Sequence, residues 1–68
     1  MLTPKQLKLF KFLKGYKHTY EIMPTFNDMK KYMQVKSLST VHQMLGYLEL
    51  KGYIKRYPAM ARAIETLK

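Results

Sequence analysis

No cysteine occurs in this chain, which excludes a disulfide framework and a thiolate metal site. Its two histidines, His18 and His42, stand far apart with no carboxylate cluster beside them, so neither a metal nor a cofactor is expected. Carboxylates are scarce as well. Glu21, Asp28, Glu49 and Glu65 are the four, and each falls where a connection, a cap, a surface or a strand accounts for it. Ser39 and His42 are spaced i,i+3, but no acid is placed to orient the imidazole and no strand-to-helix elbow presents the hydroxyl. Three glycines are too few and too dispersed for a phosphate-cradling loop. An enzyme is therefore not expected. No apolar run approaches the ~18 residues that a membrane span needs. Lysines interrupt every apolar stretch of MLTPKQLKLFKF, which does not read as a signal peptide, and the cytoplasm is the expected compartment.

What the chain does have is positive charge. Thirteen Lys and Arg against four Asp and Glu give a formal +9, with a sequence pI near 9.9. Such a balance points to an anionic partner, nucleic acid above all, although a lysine-rich solvated surface gives the same count. Hydrophobic residues make up 47% of the 68 positions, enough for a packed core and too many for a disordered tail. Residues 1–68 are expected to form one small domain. A chain this short buries only about 60% of its unfolded surface, so its core must be complete.

The pattern along the chain predicts helix, connection, short helix, tight turn, longer helix and β-hairpin. Helix 1, about 4–19, opens with Thr3 as cap, Pro4 at the first helical position and Gln6 at N3, which completes a T-x-x-Q capping box. Leu9, Phe10, Leu13, Tyr16 and Tyr20 fall on one side of it, with Phe12 at the margin and Lys8, Lys11 and Lys14 opposite. Pro24 forces Met23 extended. Thr25 and Asp28 then cap helix 2, about 26–33, whose apolar face is Phe26, Met29 and Met33. Gln34, Val35 and Lys36 leave room only for a tight turn. Ser37 caps helix 3, about 38–51, where Leu38, Val41, Met44, Leu45 and Leu48 share a face and Gly52 stands as the C′ residue. The β-prone YIKRY and the alternating residues 62–67 flank the loop of a wing, about 53–67, with Ile54 and Ile64 turned inward.

Two helices joined by a tight turn, the second longer and polar on one side, match a helix-turn-helix, and a C-terminal hairpin makes it winged. The expected fold class is thus mainly α with a small β-hairpin: three helices followed by a two-stranded wing. Within that order, LTPKQLKLFKFL, MPTFNDMKKYM, SLSTVHQMLGYLELKGYIKR and ARAI are similar to the DNA-binding domain of LexA repressors. The family pattern is carried by Leu2, Thr3 and Gln6; by Pro24 and Thr25; by Ser37 and Thr40; by Leu45, Leu48, Lys51, Gly52, Tyr53 and Ile54; and by Arg62, Ala63 and Ile64. It runs without a gap from Leu2 to Leu67. Gln34 and Glu21 depart from it, since glycine is common at both places, and Gly46 interrupts helix 3. Family members also carry a self-cleaving serine–lysine protease domain. Nothing in these 68 residues corresponds to it, so self-cleavage is not carried over.

On the helical wheel Ser39, Gln43 and Gly46 lie opposite the apolar face of helix 3, with Thr40, His42 and Tyr47 near the margins. The side chains suit base edges: Gln bonds adenine through two hydrogen bonds, Ser and Thr hydroxyls bond several partners, and a Thr methyl packs on thymine. The resemblance implies that the positions of Ser37, Ser39, Thr40, His42 and Gln43 face an operator. For His42 a packing role against the apolar face stays open beside base contact. Lys36, Ser37, Tyr47, Lys55, Arg56 and Arg62 are the candidates for the DNA backbone, although Ser37 is explained by its cap alone. Most aromatics, Phe10, Phe12, Tyr16, Phe26, Tyr32 and Tyr53, read as core or core edge.

The expected function is sequence-specific binding to double-stranded DNA and transcriptional repression at an operator, with a second copy on a two-half-site operator as a possible companion. No small-molecule substrate and no membrane is expected. Two other functions fit the same fold: a winged helix kept as a partner-binding or antirepressor module, and charge-driven binding to nucleic acid of any sequence, RNA included.

Overall fold

The computed structural model describes residues 2–57 and 63–68. It contains α1 (Pro4–Tyr20), α2 (Phe26–Met33), α3 (Leu38–Leu50), β1 (Ile54–Arg56) and β2 (Ile64–Thr66). The three helices and the two-stranded antiparallel hairpin form a winged helix-turn-helix. Residues 58–62 of the loop between the strands, Arg62 among them, lie outside the described residues.

Caps set each helix start. Thr3 accepts from the Gln6 amide while the Gln6 side chain accepts from the Thr3 amide. Thr25 and Asp28 repeat the reciprocal pair at α2, both bonds being 3.0 Å. Both satisfy amides that would otherwise be orphaned in the first turn. Pro4 occupies the first position of α1, where no amide donor is needed.

The ends of α2 and α3 share one hydrogen-bond pattern. After α3, the Gly52 amide donates to the Glu49 carbonyl and the Tyr53 amide to the Leu48 carbonyl, with Gly52 at φ 82°. After α2, the Gln34 amide donates to Lys31 and the Val35 amide to Lys30, with Gln34 at φ 57°. Both are Schellman closures, one using glycine and the other a residue with a Cβ. Glu21, at φ 63°, ends α1 in the same left-handed region. Each non-glycine residue held there costs on the order of 1 kcal/mol.

Among the described residues, twelve form the core: Leu9, Phe10, Leu13, Met23, Met29, Met33, Val41, Met44, Leu45, Leu48, Ile54 and Ile64. Every element contributes, and so does the connection after α1, where Met23 and Pro24 are buried. Ile54 and Ile64 point inward as the alternation requires, with Ile54 paired to Thr66 and Ile64 to Arg56. Gln6 is the buried polar residue of the described set. Its Oε1 accepts from the Thr3 amide and, at 2.8 Å, from the Lys51 ammonium. The bond ties the start of α1 to the cap of α3.

Several expectations need correction. Tyr20 does not join the core side of α1; it is 62% exposed and lies beside Tyr16, with ring centroids 4.5 Å apart. Tyr32 is exposed rather than core edge: it stacks flat on Phe12, and Phe12 is the ring that packs against the core. Leu38, the first residue of α3, is exposed too. α1 runs one residue past the expected end, to Tyr20, and α3 stops one short, with Lys51 as its cap.

Candidate nucleic-acid interface

α3 is held by one face. Val41, Met44, Leu45 and Leu48 are buried, at the i, i+3, i+4, i+7 spacing that makes a single stripe. Their opposite side is open: Ser39, His42 and Gln43 are exposed, and Thr40 is half-buried. None of these four side chains is needed to fill the core. Tyr47 is exposed further along the helix, and Lys36 is exposed just before it begins.

At the helix start the Ser37 Oγ accepts from the Thr40 amide at 3.4 Å and lies 3.2 Å from the Thr40 Oγ1. The two hydroxyls bond each other. This orients them at a helix N-terminus, where the backbone amides and the helix dipole favour an anion such as phosphate. Phe26, the first residue of α2, meets the His42 ring edge-on with centroids 4.5 Å apart. The imidazole is therefore both exposed and steadied by packing, so the two roles left open for it are compatible.

The wing divides its cations by strand alternation. Lys55 points outward, opposite Glu65 in the hairpin register, and its ammonium lies over the Tyr57 ring at 5.3 Å. The Tyr57 hydroxyl donates to Glu65 at 3.1 Å, and that bond raises the Tyr57 pKa above its ordinary value. Arg56 points the other way, onto α3. Its Nε donates to the Glu49 Oε1 and its amide to the Glu49 Oε2, both at 3.0 Å. Donation by the Arg56 amide, followed by that of its side chain, lowers the Glu49 pKa below the ordinary 4.5.

The guanidinium then lies across α3 at Gly46. A Cβ built at Gly46 would meet Arg56 Nη2 at 3.9 Å, an ordinary contact. Nothing among the described residues therefore requires glycine there, and what the small residue leaves free is the outer surface of the helix. Glu49, read from the sequence as a plain surface residue, is what fastens the wing to α3. Adjacent residues of a strand face opposite ways, so the divergence of Lys55 and Arg56 is a sequence signal; the choice of Glu49 as partner is not.

Among the described residues, Ser39, Thr40, His42 and Gln43 occupy one exposed strip of α3, with Lys36 and Ser37 at its start and Arg56 at its far end. Lys55 sits on the outer face of the wing. No group of three or more His, Asp or Glu capable of holding a metal occurs among the described residues. None of their helices is long and apolar enough to cross a membrane.

A family model described as LexA DNA binding domain matches residues 1–63. The chain is 43% identical over all 68 residues to the LexA repressor of Erythrobacter litoralis (strain HTCC2594). It is 41% identical over the same length to the LexA repressor of Novosphingobium aromaticivorans. In both alignments the whole chain is covered, and it spans 29% of the relative's length. Along that span the similarity is to a DNA-binding domain, which agrees with the expectation of a non-enzymatic one.

Proposed function

Because the chain belongs to the LexA DNA-binding domain family, we infer that it binds a duplex operator with α3 in the major groove and represses transcription from that site. The observation that carries this reading is the exposed strip of α3, whose Ser39, Thr40, His42 and Gln43 all lie outside the core. Gln43 reads a base edge, adenine being its best bidentate match, and Ser39 and Thr40 read neighbouring edges. His42, steadied by Phe26, contacts the margin of the same groove.

Lys36, the N-terminus of α3 at Ser37, Tyr47, Lys55, Arg56 and Arg62 hold phosphates on either side. Such contacts position the protein without reading sequence. Glu49 does not cancel Arg56 in this role. It uses the Nε and the main-chain amide, and the terminal guanidinium nitrogens stay available for a phosphate. One winged module makes a small interface of roughly 600–1,000 Å², so two copies on two half-sites give the affinity that repression needs.

The test is selection from a pool of random duplexes, followed by titration of the selected duplex and a random one at two salt concentrations. Operator reading predicts a preference above tenfold for the selected site. The salt slope should be roughly −3 to −4 in log–log form, from about 0.9 for each of Lys36, Lys55, Arg56 and Arg62. Equal affinity for every sequence with the full slope would assign the binding to charge alone. Absence of binding at low salt would leave the partner-binding module as the function of the fold.

A further inference from the structure

The most unusual surface of the molecule lies on α1 and α2, and none of its residues belongs to α3 or the wing. Tyr32 of α2 stacks flat on Phe12 of α1, centroids 4.0 Å apart and planes within 10°. Phe12 meets Tyr16 edge-on at 5.7 Å, and Tyr16 meets Tyr20 at 4.5 Å. Four rings thus run as a ladder along the α1–α2 junction. Tyr20 is 62% exposed and Tyr32 46%. A groove of about 430 Å³ follows the ladder, lined by Phe12, Tyr16, Tyr20, Tyr32, Gly15 and Lys11. A second, of about 340 Å³, continues from Lys11 and Tyr32 to Lys8 and the exposed Leu7.

Two features define what such a surface accepts. The first is charge. Lys8 and Lys11 line the grooves, the Lys8 ammonium stands 5.3 Å from the Tyr32 ring centroid, and no carboxylate lines either groove. Asp28, one turn before Tyr32, is engaged with the Thr25 cap. The second is ring geometry. Single-stranded bases need free flat faces to stack on, but here Phe12 and Tyr32 cover each other and Lys8 stands over Tyr32. Tyr16, Tyr20 and Tyr32 supply instead a hydroxyl beside an apolar ring, the amphipathic contact area that tyrosine brings to protein interfaces. Ammonium groups beside it complement carboxylates and would repel a basic segment.

We propose that the α1–α2 face is a docking site for an acidic peptide segment of a partner protein, one that sets an apolar or aromatic side chain against the Tyr16–Tyr20–Tyr32 ladder and carboxylates beside Lys8 and Lys11. The site does not depend on the DNA reading. It leaves the exposed strip of α3 uncovered, so the domain can hold DNA and the partner at once.

The probe is a displayed library of random 12-residue peptides selected on the folded domain, with binding of the enriched peptides mapped by amide and aromatic NMR shifts. Enriched peptides should carry Asp or Glu around an apolar anchor, and shifts should concentrate at Leu7, Lys8, Lys11, Phe12, Tyr16, Tyr20 and Tyr32. The pair Tyr20→Ala/Tyr32→Ala should weaken them at least tenfold and leave duplex DNA affinity within twofold. The pair Lys8→Gln/Lys11→Gln, both at exposed positions, should weaken them comparably and keeps the test open if loss of Tyr32 disturbs the fold. An empty selection, enriched peptides without acidic bias, or shifts mapping elsewhere would overturn the proposal. So would the same shifts produced by a 12-mer of oligo-dT, or by raising the concentration of the domain alone. The first of these would assign the face to single strands and the second to self-association.

Discussion

The two sides of α3 are built from the same thirteen residues and answer to different demands. On the inner side, Val41, Met44, Leu45 and Leu48 are almost wholly removed from water and touch residues from the other elements of the fold. On the outer side, Ser39, His42 and Gln43 stand in solvent, and neither Ser39 nor Gln43 belongs to the core. Substitution inside should therefore alter the fold first and binding as a consequence, and substitution outside should alter binding alone. Side chains that stabilise nothing in the free domain are those most available to be chosen for a partner.

The largest effect should come from the inner side. Leu48 is fully buried, and Leu48→Ala should cost about 2–5 kcal/mol. A core this small rarely supplies more than roughly 3–5 kcal/mol of net stability, so chemical denaturation should show the variant stripped of a large part of its stability, with a much lower midpoint. Next is the outer side. Gln43→Ala should leave the melting curve unchanged, because an exposed substitution away from caps and bonds moves stability by no more than about 0.5 kcal/mol. It should remove about 1–3 kcal/mol of discrimination between the selected and a random duplex, read by competition binding. A result in which both substitutions lower stability equally would erase the distinction between the sides.

A smaller effect sharpens how the inner face is aimed. The turn before α3 closes on Gln34 at φ 57°, while the turn after it closes on Gly52 with the same hydrogen bonds. Gln34→Gly should relieve on the order of 1 kcal/mol of strain, partly offset by the entropy of glycine in the unfolded chain. The melting temperature should rise by a few degrees, by up to about 4–8 °C for a full 1 kcal/mol in a domain of this size.

The smallest effect is at the wing. The folded pKa of Glu49 is lowered, so its contribution is complete above the unfolded value, near 4.5, and is lost as pH falls through the lower folded value. Wild type should lose wing protection below pH 4.5, seen as faster exchange at the Arg56 amide relative to the intrinsic rate. Glu49→Gln should show the faster exchange already at pH 7 and little further change on acidification.

Much of this was legible in the sequence because it is local. Thr3 with Gln6, Thr25 with Asp28, and Ser37 before an apolar stripe mark the helix starts within four residues each. Gly52 marks an end, and the strand alternation turns Ile54 and Ile64 inward. The resemblance to LexA DNA-binding domains rested on those same residues, and the family match covers residues 1–63.

What escaped was non-local. Lys51 reaches Gln6 across 45 positions, and Glu49 reaches Arg56 only once the wing has folded back on α3. The aromatic ladder was hidden for a related reason. A helical wheel assigns Tyr16 and Tyr20 to a core face, but in the fold Tyr16 is half-buried and Tyr20 exposed. The rings there meet one another edge-on or tilted, and Tyr32 joins them by stacking on Phe12.

The central claim is that Gln43, on the outer face of α3, reads sequence and is not needed for the fold. The ratio of affinities for the selected and a random duplex, compared between wild type and Gln43→Ala at one fixed salt concentration, tests it most directly. The account predicts a ratio above ten for wild type, falling at least fivefold in the variant, with random-duplex affinity unchanged. A ratio that stays the same while both affinities fall together would contradict it, since Gln43 would then be holding DNA without reading it.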